Sequence, residues 1–331
     1  MKKYMIMCMA IVALLFASCK NEDISISREV SFEVNPYTIV SEFAKHEVNT
    51  GDLVTFDYAV YPSRYRLRTY LLVYDEKGYL IDSKVSELEN YNSKMNAIFE
   101  LSDGVYTTVA ISYIIDAKED VDYWFVSGTD RLDALKITNN DGYYDVWIKI
   151  LGATSKKITV NSGQSVFNID IQPAGALVVN YLRYIHYYSN IVFYQPFMDK
   201  EPNTLSFNND GSYKSTYDES TNISYPSTSG FEPNDYTGYN NVYWYNFFTP
   251  LDNTNFQWLA LSDEDDVYVV GGTQSANIKA GKIFLSTLDL FAGVFEIEDI
   301  SGGRVSLPSE CVSKSDADYK KSDCERIKNS F

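Results

Sequence analysis

Residue types that could do chemistry are few in this 331-residue chain, and they are scattered. There are two histidines, His46 in Lys45-His46-Glu47 and His186 in Tyr184-Ile185-His186-Tyr187-Tyr188. Neither has a second ligand at a helical or Cys-x-x-Cys spacing, so a zinc site has no support. His186 reads as an ordinary sheet or loop histidine rather than a catalytic base. No G-x-S-x-G elbow, P-loop or dinucleotide fingerprint occurs. A glycosidase needs only two carboxylates placed by the fold, but with 45 Asp plus Glu an acidic pair carries no information. The densest acidic run is Ser262-Asp263-Glu264-Asp265-Asp266. It could hold Ca²⁺ through oxygen ligands, yet it lacks the EF-hand spacing and central glycine. A charged hairpin loop between Trp258 to Leu261 and Val267 to Val270 explains it better. The expectation is a chain that is not an enzyme and uses no metal or cofactor.

Two other groups of residues remain. The segment Tyr236 to Phe248 reads YTGYNNVYWYNFF. Tyr and Trp faces stack on sugar rings while Asn and Asp bond the hydroxyls, which makes Tyr243, Trp244 and Tyr245 a candidate glycan platform. The competing account buries both faces of this strand, one in the core and one under Asn-rich loops. The four cysteines are Cys8, Cys19, Cys311 and Cys324. Bridging Cys311 to Cys324 would close a loop of about 14 residues and stabilise the tail by up to ~3 kcal/mol. Two free thiols are the alternative, and no histidine lies near the pair to favour metal.

Cys19 stands apart because of what precedes it. Lys2 and Lys3 are followed by thirteen uncharged residues, Tyr4 to Phe16, then Ala17 and Ser18. A spanning helix needs about 20 apolar residues, so this run fits a secretory h-region. Phe16-Ala17-Ser18-Cys19 resembles the bacterial lipobox, with Phe16 where Leu is usual. That resemblance implies cleavage before Cys19 and acylation of its thiol with diacylglycerol and palmitate-type chains. Two or more acyl chains hold a protein stably to a membrane. Lys20-Asn21-Glu22-Asp23 resembles the surface-export signal of some Gram-negative lipoproteins. The expectation is an outer-membrane lipoprotein, exposed at the cell surface.

Removal of residues 1–18 takes away Lys2 and Lys3 and leaves 313 residues with 26 basic and 45 acidic side chains, a formal net of −19. Such a surface repels nucleic acid and excludes it as a partner. The length suggests two domains.

The elements that must position these residues are strands. Aromatics make up 15% of the chain, led by 28 Tyr, which favours sheet. Tyr144, Val146, Ile148 and Ile150 alternate with polar neighbours in Tyr143 to Leu151, as do Phe167, Ile169 and Ile171 in Ser165 to Ile171. Arg66 to Tyr74 and Val105 to Tyr113 are flatter and read as strands buried on both faces. Asp75-Glu76-Lys77-Gly78, Asp103-Gly104, Asn140-Asp141-Gly142, Ser162-Gly163 and Asp210-Gly211 supply turns. Thr129 to Leu135 is the one helical candidate, with Thr129 or Asp130 as N-cap. The hairpin spacing predicts β-sandwiches. Pro173-Ala174-Gly175 marks a boundary, with a new strand from Leu177 to Tyr181. Residues 201–238 read as long loops. Ile158 to Ile171 is faintly echoed by Ile278 to Leu290, through relatedness of two sandwiches or through chance.

Three stretches carry a family resemblance: Arg68 to Ile81 (RTYLLVYDEKGYLI), Leu101 to Ala110 (LSDGVYTTVA) and Ile158 to Ile171 (ITVNSGQSVFNIDI). Together they resemble the fimbrillin superfamily of lipoprotein pilus subunits, the anchor type above all, over roughly residues 50 to 180. The resemblance implies an all-β chain of two tandem transthyretin-like or Ig-like sandwiches, assembled with other pilus subunits by strand exchange and without catalysis. The organisation expected is residues 1–18 leader, 19–28 lipidated linker, 29–173 first sandwich and 174–331 second sandwich with a charged tail. Some fimbrillins are cut after a basic residue ahead of the first strand. Arg28, just before the strand Glu29 to Val34, could be such a site or a solvated linker charge. The alternative function is a glycan-binding lipoprotein of a polysaccharide-uptake system.

Overall fold

The structure, a computed structural model, describes residues 27–39, 65–139, 150–183, 191–198, 204–216, 241–262, 268–270, 274–289 and 294–300. Their regular structure is nearly all strand, so the all-β expectation holds. A three-stranded sheet places β1 (Ser27–Asn35) between β4 (Met95–Ser102), antiparallel, and β10 (Val166–Asp170), parallel. A second, antiparallel sheet runs β3 (Leu80–Leu88), β2 (Tyr65–Tyr74), β5 (Gly104–Asp116). The far edge of β5 takes β9 (Leu151–Val160) and, at its end, the short β6 (Val121–Asp122). Val30, Phe32, Val34, Met95, Ala97, Phe99, Leu101, Phe167 and Ile169 bury the inward face of the first sheet. The alternation in β4 and β10 follows from that single buried face.

Strand β5 is buried from Tyr106 to Asp116 on both faces, as its flat sequence pattern predicts. The cause is a third sheet, ordered β14 (Tyr213–Thr216), β13 (Thr204–Phe207), β8 (Lys136–Asn139), β7 (Trp124–Ser127). Trp124, Ile137, Leu205 and Phe207 are its buried apolar side chains. The β13–β14 turn rests on the second sheet. A Cβ added to Gly211 would come 2.1 Å from Ser155 Oγ and 3.2 Å from Thr107 Cγ2. Gly211 sits at φ +84°, where a side chain is also strained.

This hairpin corrects the reading of 201–238 as loops: residues 204–207 and 213–216 are strands. Composition rich in Ser, Thr and Asn hid the inward pair Leu205 and Phe207, two positions apart. The helical candidate shrinks to a 3₁₀ turn, Leu132–Ala134, capped by Arg131 without a side-chain bond rather than by Thr129 or Asp130. Gly128 just ahead, at φ +64°, turns the chain in. The expected strand Tyr143 to Leu151 lies outside the described residues up to 149.

The second half repeats the arrangement. β11 (Ala176–Arg183) pairs antiparallel with β15 (Asn241–Phe248) and parallel with β19 (Ile283–Asp289), as β1 does with β4 and β10. β16 (Leu251–Ser262) takes β12 (Ile191–Met198) on one edge. On the other it takes β17 (Tyr268–Val270) at its end and β18 (Gln274–Ile278) at its start, as β5 takes β6 and β9. β20 (Val294–Asp299) is an addition beyond β19. The faint echo of Ile158 to Ile171 in Ile278 to Leu290 therefore joins equivalent strands, β9–β10 and β18–β19. Between the halves, Ile171 N–H donates to Asn35 O, Ala174 N–H to Leu151 O, and Gly281 N–H to Gly175 O. The segment Pro173 to Gly175 is thus bonded to Leu151 on one side and Gly281 on the other.

Lysines close the corners of the first half. Lys84 Nζ of β3 donates to Asn96 O of β4 at 2.7 Å, and Lys156 Nζ of β9 donates to Asn168 O of β10 at 3.3 Å. Thr154 Oγ1 donates to Asp170 O at 3.1 Å. Outer edges are templates for foreign strands, and a lysine laid across them blocks pairing. Replacing Lys84 and Lys156 together by threonine is expected to change stability by less than about 1 kcal/mol. Light scattering should nevertheless show concentration-dependent association; a strictly monomeric variant would refute the blocking role.

Burial pushes the phenols of Tyr74, Tyr91 and Tyr113 well above the ordinary tyrosine range. The folded chain holds these protons more tightly than the unfolded one. Their contribution is intact below the unfolded value of about 10 and is lost as pH rises beyond it. Denaturant midpoints measured across the alkaline range should fall, with a late phenolate absorbance step that coincides with unfolding.

Candidate functional site

The element with the most telling placement is β1. Its sequence, SREVSFEVN, alternates because one side faces the core. Phe32 is the centre of that side. Its ring lies 5.7 Å from Phe99 of β4, tilted 57°, and 5.6 Å from Phe167 of β10, stacked at 25°. Val30 and Val34 fill the positions above and below it and are fully buried. Both backbone edges are paired: Ser27 to Val34 against Ser102 to Met95, and Ser31 to Asn35 against Val166 to Asp170. Ser31 N–H donates to Ser165 O at 2.7 Å. On the solvent side Lys94 pairs with Glu33 at 2.6 Å and Asn35 Nδ2 donates to Asp170 Oδ1 at 3.1 Å. The slot between β4 and β10 is therefore a groove that demands a nine-residue strand with apolar residues at alternate positions.

Arg28 lies inside this strand, opposite Leu101, because β1 begins at Ser27 rather than Glu29. Its guanidinium bonds Asp103 at 2.6 Å and its side chain is 22% exposed. A protease needs the scissile residues extended and unpaired, so the folded strand shields the bond after Arg28 from cleavage. The sequence predicts a strand over Glu29 to Val34, and the structure extends it to Ser27–Asn35 with Val30, Phe32 and Val34 inward. Phe99 and Phe167 were not assigned as its partners, since nothing local ties residue 32 to residue 167.

Cys19, His46, His186, the acidic run Asp263 to Asp266, Cys311 and Cys324 lie outside the described residues. Tyr243, Trp244 and Tyr245 fall in β15, an edge strand whose backbone opposes Tyr181, Asn180 and Val179 of β11. Among the described residues no group of three His, Cys, Asp or Glu is placed to hold a metal, and no helix is long and apolar enough to cross a membrane.

The half-buried charge cluster of the second sheet is self-contained. Arg68 bonds both carboxylate oxygens of Asp122 and also Glu87 at 2.7 Å. Desolvation raises Asp122 above its ordinary value despite Arg68. Tyr70 and Tyr113 hydroxyls meet at 3.3 Å beside it. Every charge here is paired, which is the signature of a structural network.

No protein-family model matches the chain, and no curated protein does. Solved structures do resemble it. A protein of Bacteroides thetaiotaomicron proposed to be an adhesin is 11% identical, with a TM-score of 0.48, covering 84% of this chain and 98% of that one. The fimbrial anchor protein Mfa2 of Porphyromonas gingivalis is 12% identical, TM-score 0.43, covering 83% and 98%. A fimbrial assembly protein of Parabacteroides distasonis is 9% identical, TM-score 0.41, covering 85% and 99%.

Proposed function

We propose that this chain is a non-enzymatic cell-surface protein of fimbrial type with a structural or adhesive role, organised as two tandem sandwiches at 29–173 and 174–331, the hairpin of β13 and β14 from the second segment being laid on the first through its pairing with β8. The observation that carries this reading is the position of β1. It is the first described strand, and it sits in the middle of its sheet, paired on one edge with β4 and on the other with β10. An incoming strand from another subunit would supply both ladders and the apolar row at once. Cys19 is the proposed point of attachment to the outer membrane, and Cys311 with Cys324 the proposed disulfide. Mass spectrometry of the membrane fraction should find a mature chain beginning at an acylated Cys19, with the two late thiols joined before reduction.

The strand-slot reading has a direct test. A protease site is introduced within residues 40–64, the purified protein is nicked there, and labelled peptide Ser27–Asn35 is added in excess. The labelled peptide should replace β1 and remain bound through gel filtration, while a peptide carrying Phe32→Asp should not. Equal capture of both peptides, or of neither, would remove strand exchange as the working principle.

A further inference from the structure

The third sheet has an outward face that differs from the rest of this acidic molecule. Cross-strand register places Phe125, Thr138, Thr204 and Thr216 in one row across the four strands. The next row is Ser127, Lys136, Ser206 and Lys214. Directly opposed residues of antiparallel strands share a face, so all eight point away from buried Trp124, Ile137, Leu205 and Phe207. None of the eight is a carboxylate, in a chain with 45 of them. Phe125 is 50% exposed at the β7 edge. Lys136 and Lys214 are exposed on either side of Ser206, about 10 Å apart by strand spacing.

The polar groups are prearranged. Ser206 Oγ lies 3.0 Å from Thr216 Oγ1, and Thr138 Oγ1 lies 3.2 Å from Thr204 Oγ1. Thr204 is the one buried member of its row. Ser206 and Thr216 are half-buried, and their hydroxyl oxygens have further accepting capacity. Among the described residues neither ammonium has a carboxylate partner, whereas Lys94, Lys118, Arg131 and Lys282 each do. Asp210, the acid in the adjoining turn, accepts from Ser212 N–H and Oγ.

We propose that this face binds an acidic polysaccharide. Two separated ammonium groups meet its carboxylates, the Ser127, Ser206 and Thr216 hydroxyls meet its hydroxyls, and a sugar ring lies on Phe125. A neutral glycan would leave both lysines without partners. An acidic peptide would use the lysines but has no ring to lay on Phe125 and little call on the hydroxyl row. The proposal deepens the adhesive side of the reading above and stands apart from β1, so the peptide-exchange test can fail while this one succeeds.

The probes are polygalacturonate, neutral dextran and poly-glutamate, titrated into the whole protein at low and at physiological ionic strength. Polygalacturonate should bind, more weakly as salt rises. The pair Lys136→Gln and Lys214→Gln should weaken binding tenfold or more, and so should Phe125→Ala. All these side chains are exposed, so unfolding temperatures should match the parent protein. Dextran and poly-glutamate should not bind. Failure of the parent protein to bind polygalacturonate overturns the proposal, as does binding that both variants leave unchanged. Poly-glutamate bound as well as polygalacturonate also overturns it, because the face would then read charge alone.

Discussion

Phe32→Ala is expected to cost about 3–5 kcal/mol, the range for emptying a buried aromatic site. The loss is concentrated on one element. Phe32 is 2% exposed and is the ring that joins Phe99 to Phe167, so its removal separates β1 from both flanking strands at once. Val30 and Val34 cannot move in to fill the space, because the ladders fix their register. Beyond lower stability, the variant should become sensitive to trypsin at Arg28, whose bond is shielded only while β1 is paired. Denaturant unfolding and timed proteolysis check the two effects. A variant that loses under about 1 kcal/mol and resists trypsin would show that β1 is not held by its aromatic centre.

Phe207→Ala is the second large effect, again about 3–5 kcal/mol, and its interest lies in where the damage spreads. Phe207 is buried, stacks obliquely on Tyr213 at 5.4 Å, and donates its N–H to Leu135 O. It belongs to the second half of the sequence, yet Thr204 to Ser206 pairs with Thr138 to Lys136 of the first. The hairpin thus covers the outward side of β5 and fastens one half to the other. In the parent protein calorimetry should show one unfolding transition. In Phe207→Ala the halves should melt separately, with faster hydrogen exchange in β8 before the β1 sheet. A single transition persisting in the variant would mean that the fastening lies elsewhere.

Much of the first half could be read from residues alone. Period-two alternation found β10, and flat apolar runs with turn residues found β2 and β5. Asp75 to Gly78 announced its hairpin, and Gly78 takes the positive φ expected of it. What escaped was long-range. Parallel pairing of β1 with β10 spans more than 130 positions, and no local pattern encodes it. The third sheet escaped for a related reason: its strands are four residues each and come from both halves. A four-residue strand shows only two inward side chains, too few for periodicity to register. The open face of that sheet was therefore invisible, although Phe125, Lys136 and Lys214 are plain in the sequence. The dense aromatic run of β15 dominates the composition instead.

The direction in which β1 lies beside β10 has a mechanical consequence. Tension between the N-terminal end of the chain and its second half enters at Ser27 and exits past Asp170, toward Pro173. In neighbouring strands that run the same way, these are opposite ends. Pulling therefore slides one strand along the other, and every rung from Ser31 to Asn35 takes strain together. Peeling, in which rungs fail singly, would require the reverse orientation. A molecule with this wiring resists tension as a lap joint does, in shear.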